Sequence, residues 1–289
     1  MRNLLLRILT IVIFFPILWL VLFVVPAYNH LIFNIITMLV SLIAAYEVEN
    51  FFIKKQMSTW KYVSPILGVI LPVYSYFEVA GFIARGYFFL VITLLVILVL
   101  CRSIFTTHKK NLNKRLEFLS SSLFVIFYPS LFLSYIIRLT DTCLFGPQPQ
   151  FAMLIFLSLV FANDTGAYIF GMLFGKNSKL NLIISPKKSL TGFISGFSIS
   201  IGIAVFYSYV LRDYYIIPLI HALILGCIIG LSTIAGDLVE SVLKRACSVK
   251  DSGALMAGRG GLMDTIDSLL ISAPLFYFLF PLLTSNRCF

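Results

Sequence analysis

Between Asp237 and Asp267 the chain gathers Asp237, Glu240, Lys244, Arg245, Lys250, Asp251, Arg259, Asp264 and Asp267 around a glycine pair, Gly260–Gly261, with long apolar runs on either side. Opposed charges at this density beside membrane-type runs suit a multivalent anion, such as a phosphate, and the cation that accompanies it. If a helix continues out of the preceding run, the spacing puts Asp237, Glu240 and Lys244 on one face. Glycines ahead of a second helix let backbone N–H groups and the positive end of the helix dipole approach a phosphate. Asp264 and Asp267 fall three apart on the first turns of that second helix and share a face. Helix-dipole complementarity accounts for one such acid, but less well for the pair, which a divalent cation between them would hold ionised. A Mg²⁺ ion bridging carboxylates and nucleotide phosphates meets both needs.

Two further groups carry chemistry. Asp164 lies in LVFANDTGAYIFG, inside an apolar run, where an ionisable side chain costs about 3 kcal/mol and is usually retained for function. Asn163, Thr165 and Tyr168 add hydrogen-bonding groups, and Tyr168 falls one turn from Asp164 on the same face. The segment KNSKLNLIISPKKSLT then holds Lys176, Lys179, Lys187 and Lys188, the last two after Ser185–Pro186. Adjacent ammonium groups behind a proline turn suit a triphosphate or a lipid phosphate, although a basic loop on the inner membrane side, taken by itself, explains them better. GMLFGKNS just before it has a P-loop flavour, but its spacing is one residue short and its glycines belong to a membrane helix.

The elements that must hold these residues are apolar helices. Composition is 60% hydrophobic and 12% charged, and runs long enough to cross a hydrocarbon core of ~30 Å recur along the chain. The fold expected is therefore all-α, a polytopic transmembrane helical bundle of about nine spans: residues 4–25, 31–47, 62–79, 86–101, 118–138, 151–174, 192–211, 216–235 and 268–285. The first is kept as a span because its apolar part exceeds a signal-peptide core and no small-residue cleavage site follows. With the N-terminus cytoplasmic, 18 of the 22 Lys and Arg fall in inner segments, leaving Arg85, Arg138, Arg212 and Arg287 outside. That orientation makes the protein a multi-pass integral membrane protein with its polar cluster facing the cytoplasm. The net charge of +10 is thereby explained by topology and by anionic lipid headgroups. Nucleic acid is not expected as a partner, because the basic residues are spread over five short loops.

Cys101, Cys143, Cys227, Cys247 and Cys288 show no CxxC spacing, and His30, His108 and His221 form no HExxH, which argues against zinc and against a disulfide framework. Glycine divides the chain: three of 17 precede residue 146, and the remainder include GxxxG spacings at Gly171/Gly175, Gly192/Gly196 and Gly226/Gly230. Small residues one turn apart let helices approach closely in lipid. Residues 1–145 are thus expected to form scaffold helices and 146–289 a tightly packed catalytic core, with a homodimer interface as the other use of the same glycines. No internal repeat supports a transporter built from inverted halves.

Three segments resemble the phosphatidate cytidylyltransferases, or CDP-diacylglycerol synthases. They are NDTGAYIFG from Asn163, SPKKSLTG from Ser185, and SVLKR-x4-KDSG-x4-GRGGLMDTIDS from Ser241 to Ser268. They cover the C-terminal half in family order; the first 145 residues resemble the family only in being apolar helices. The family has His at the Arg259 position, Arg at Thr265, usually Pro at Ala257, and Trp and Glu at Leu190 and Thr191. Arginine cannot shuttle a proton, so only a phosphate contact carries over to Arg259. The resemblance implies transfer of CMP from CTP to phosphatidic acid, giving CDP-diacylglycerol and pyrophosphate, with Mg²⁺ or Mn²⁺ at the inner face of a bacterial cell membrane. On that reading Asp164, Asp237, Asp264 and Asp267 are the metal and polar-shell carboxylates, with Lys244 beside them. Lys187, Lys188, Arg245, Lys250, Arg259, Gly260 and Gly261 serve phosphates, and Asp251 serves nucleotide or metal. A CTP-dependent polyprenol kinase and an ion-coupled transporter are the rival readings, the second weakened because polar residues gather at one end of the last four spans.

Overall fold

The computed structural model describes residues 16–105, 112–180, 184–185, 188–253 and 260–284. Eight of the nine expected spans coincide with helices: α1 (Ala27–Lys54), α2 (Val63–Val79), α3 (Phe88–Ile104), α4 (Leu112–Arg138), α5 (Gln150–Phe174), α6 (Leu190–Val210), α7 (Leu219–Ala246) and α8 (Met263–Leu283). Six are long and apolar enough to cross a membrane; α2 and α3, at 17 residues each, are shorter apolar helices. Residues 4–15 of the first expected span lie outside the described residues, and residues 16–24 are helical, ending in a single π-turn, Leu20–Val24. The fold is an all-helical, multi-pass membrane bundle.

The helices outrun the hydropathy pattern at two places that matter. α7 continues eleven residues past the apolar run ending at 235, so Asp237, Glu240 and Lys244 are on one helix as the spacing predicts. α8 starts five residues before its apolar run, which brings Asp264 and Asp267 inside it. Backbone hydrogen bonding, not hydrophobicity, decides where a helix ends, and neither segment contains a proline or an interior glycine run to stop it.

The chain divides into two compact units, Met1–Arg138 with Lys244–Thr265, and Leu139–Leu243 with Ile266–Phe289. In the first, α1, α2 and α4 pack on one another and α3 packs on α2 and α4. Gly68 of α2 sits against Ser130 and the Ile126 carbonyl of α4, where a side chain would not fit, and the Ser41 hydroxyl of α1 donates to Ser130 at 2.9 Å. Such small-residue seams replace the hydrophobic drive that lipid removes. Glu78 and Arg138 form a buried ion pair, with the guanidinium also over the Phe88 ring.

In the second unit α5 lies on α6 along a glycine seam, and α7 joins it. Cβ atoms on Gly171 or Gly175 would meet the Ser189 hydroxyl; on Gly192 and Gly196, the carbonyls of Ala167 and Asn163; on Gly226, the backbone of Ile201; on Gly230, Phe197 and Ser200. All six GxxxG glycines are thus spent on contacts within one chain. The same contacts confirm that Gly171 and Gly175 are helix-packing residues rather than a phosphate loop. A run of rings, Phe156, Phe276, Phe280, Phe145 and Tyr215, fills the other end, with the Tyr215 hydroxyl donating to the Phe145 carbonyl at 2.6 Å.

Candidate functional site

In the second unit, Asp164 sits on α5 nearly three turns from the helix end and accepts a hydrogen bond from the Ser268 hydroxyl of α8 at 3.2 Å. The Ser268 N–H donates to Asp267 Oδ1 at 2.7 Å, so one serine links two buried or half-buried carboxylates. α7 reaches this pair because Gly236 has no side chain: a Cβ there would fall 2.6 Å from the Asp267 carbonyl. The next residue, Asp237, is 40% exposed and holds the Lys188 ammonium at 2.6 Å. Lys188 stands immediately before the α6 N-cap, Ser189, whose hydroxyl accepts from the Gly192 N–H at 3.2 Å. Backbone hydrogen bonds from Leu180 to Lys188 (3.0 Å) and from Leu190 to Ser178 (2.8 Å) fasten the loop at this point. Neighbouring Asn163 is buried, and its amide donates to the Gly230 carbonyl of α7 at 3.1 Å, fixing the α5 rotation that aims Asp164.

The first unit contains the glycine turn. Asp264 Oδ2 accepts from the N–H groups of Gly261 (2.8 Å) and Ser252 (3.0 Å), while Oδ1 takes the Lys244 ammonium at 2.5 Å. The Ser252 hydroxyl accepts from the Asp264 N–H at 3.3 Å. Gly260 has φ +107°, a conformation that disfavours any side chain, and a Cβ would also strike the Asp264 carboxylate. The next two donors, Leu262 and Met263, give their N–H groups to the two oxygens of Glu47 on α1, at 2.9 and 2.7 Å. The first N–H groups of α8, which the sequence offers to a phosphate, are therefore engaged by Asp264 and Glu47. Asp264, expected as a metal carboxylate, likewise has both oxygens on protein donors. Arg245, Lys250 and Asp251 are exposed. Lys187 and Arg259 lie outside the described residues.

Glu47 is the residue that the sequence reading passed over. It occurs in AYEVENFF, where Glu47 and Glu49 interrupt an apolar run, and the cost argument applied to Asp164 applies equally to them.

Among the described residues no three His, Cys, Asp or Glu side chains gather as a metal cage. Mg²⁺ does not require one, since it keeps waters and is commonly held by one or two carboxylates together with substrate phosphates. Asp164 and Asp267, flanking Ser268, form a donor set of that kind.

A multi-pass helical membrane protein with paired carboxylates, a serine bridge and lysines at helix ends defines the class. Within it, the chain belongs to the cytidylyltransferase family, whose model matches residues 5–283. It is 38% identical over 133 residues to a phosphatidate cytidylyltransferase of Rickettsia typhi, covering 44% of this chain and 58% of that protein. To that of Bacillus subtilis it is 40% identical over 124 residues, 43% of this chain and 45% of the relative. To that of Aquifex aeolicus it is 34% identical over 156 residues, 54% and 55% respectively. The matches span about half the length of these curated relatives.

Proposed function

We propose that this protein transfers CMP from CTP to phosphatidic acid, forming CDP-diacylglycerol and releasing pyrophosphate. In this reaction a phosphate oxygen of the lipid bonds to the α-phosphorus of CTP, and the bond from that phosphorus to the α,β-bridging oxygen breaks. Nucleophile and electrophile are both anions, so the site must neutralise and align them rather than supply a covalent nucleophile. The observation that carries the reading is the Asp164–Ser268–Asp267 group, set among apolar helices in a chain of this family.

Asp164 and Asp267 would hold Mg²⁺ or Mn²⁺, with Asp237 nearby on α7; when bound, the ion would offset phosphate charge and polarise a phosphoryl oxygen. Ser268 orients both carboxylates through its hydroxyl and its N–H. Lys188 is paired with Asp237 and is placed to exchange that carboxylate for a substrate phosphate, with Lys187 beside it in sequence. Lys244, fixed on Asp264, and the exposed Arg245 and Lys250 would supply positive charge to the nucleotide phosphates, with Arg259 beside Gly260 in sequence; Gly260, Gly261 and Asp251 would shape the approach of the nucleotide. The proposed setting is a bacterial cell membrane with this chemistry on the cytoplasmic side.

The test is incubation of purified protein in detergent micelles with phosphatidic acid and CTP labelled in the cytidine. A chloroform-soluble cytidine product that requires Mg²⁺ or Mn²⁺ is expected, and Asp267→Asn should abolish it without unfolding the protein. A lipid kinase would move the terminal phosphate and leave cytidine in the aqueous phase. Folded protein yielding no labelled lipid overturns the reading.

A further inference from the structure

We infer that Glu47, in the N-terminal half, is a positioning residue for the glycine turn, an inference that rests on the proposed activity for its functional consequence. The residue is 7% exposed and its carboxylate takes the N–H groups of Leu262 and Met263, so an α1 side chain 215 residues away serves as the cap of α8. A carboxylate at a helix N-terminus satisfies donors that the helix cannot, and it interacts favourably with the dipole.

The glycines of the turn are shaped around this group. A Cβ on Gly253 would lie 2.6 Å from Glu47 Oε1, and one on Gly261 would lie 2.5 Å from Glu47 Oε2 and collide with the Ser252 hydroxyl. Both residues lack a side chain where the Glu47 carboxylate sits. Gly253 and Gly261 therefore form a cradle for a buried acid from another helix. Ser252 and Gly261 also hold Asp264, which holds Lys244, so a turn displaced by loss of Glu47 displaces the Asp264–Lys244 pair with it. Glu47 touches no reacting atom in this account; it sets the start of the helix that bears Asp264 and Asp267.

The experiment compares wild type with Glu47→Ala, Glu47→Gln, Glu47→Asp, Gly253→Ala and the double variant Glu47→Ala with Gly253→Ala, all full-length in micelles. Amide exchange at Leu262 and Met263 should quicken by about tenfold or more in Glu47→Ala, because each lost bond is to a charged acceptor. Glu47→Gln, with one acceptor oxygen, should keep one of the two amides protected and fall between wild type and Ala, and Glu47→Asp should recover part of both protection and turnover. Gly253→Ala should lower melting temperature and turnover in wild type and do far less in the Glu47→Ala background, where the clashing oxygen is gone. Unchanged exchange at both amides in Glu47→Ala, or an equal effect of Gly253→Ala in both backgrounds, overturns the inference. Exchange and melting need no substrate, so a wild type that forms no CDP-lipid removes the proposed activity while these readouts still decide the role of Glu47.

Discussion

Replacing Asp264 by Ala removes its bonds to the Gly261 and Ser252 N–H groups and to the Lys244 ammonium at once. The carboxylate and the ammonium are 8% and 15% exposed, so solvent cannot take over the lost pairing. Removing one member of a buried ion pair costs about 3–5 kcal/mol. Asp264→Asn keeps the shape and one acceptor oxygen, so it should lose about 2–3 kcal/mol, the worth of a charge-assisted bond. Lys244→Met removes the cation but leaves Asp264 bonded to Gly261 and Ser252, and should cost less than Asp264→Ala. The double variant Lys244→Met with Asp264→Asn should lose less than the sum of the two single changes, because both single changes remove the same ion pair, which the double variant loses only once. Thermal unfolding in detergent, followed by tryptophan fluorescence and size exclusion, measures this. At roughly 2–4 °C per kcal/mol for a chain of 150–250 residues or somewhat longer, Asp264→Ala should melt about 6–20 °C early. By contrast, Asp267→Asn keeps an oxygen for the Ser268 N–H and should melt close to wild type while losing turnover. An Asp264→Ala protein that melts within a degree of wild type, or strict additivity in the double variant, would refute the view that Asp264 is tied up in the turn.

Three other outcomes follow from the same structure. Gly196→Ala should destabilise the α5–α6 seam, since its Cβ would fall 2.7 Å from the Asn163 carbonyl, whereas Gly202→Ala meets nothing within 4 Å and should be neutral or slightly stabilising; melting temperatures decide it. For orientation, an impermeant thiol reagent should reach a cysteine at Gln148 in intact cells and one at Lys109 only after permeabilisation, and the reverse would invert the proposed topology. Cys247, buried with Phe51 and Val249, has its thiol pushed up by desolvation, with Lys55 pulling weakly the other way. Because the folded state retains the proton, the stability this contributes is present below the ordinary thiol pKa and is lost as pH rises through the folded value. In a variant keeping only Cys247, alkylation near pH 8 should be slower in the folded than in the denatured protein.

Helical spans, the continuation of α7 through Lys244 and the shared helix of Asp264 and Asp267 were legible in the chain because each depends on local spacing. An apolar run of about 20 residues has one way to satisfy its backbone in lipid, and charges three or four apart on a helix have one relative placement. Asp164 was legible for a related reason: an acid in such a run is costly enough to mark itself. Glycine spacing likewise announced close helix contact, but not which helix would answer it.

Sequence alone therefore determined the all-helical membrane class, the spacing of the charged residues along their helices and the motifs that the family shares. Tertiary structure alone decided what each of those residues touches. It separated Asp164 and Asp267, joined through Ser268, from Asp264, whose oxygens are taken up by Lys244 and two backbone donors. It also brought Glu47 to the start of α8, a pairing no local pattern contains. The physical reason is range. Periodicity and burial cost act within a few turns of one helix, whereas a buried carboxylate must find donors wherever the packed chain presents them, and those donors lie 215 residues on.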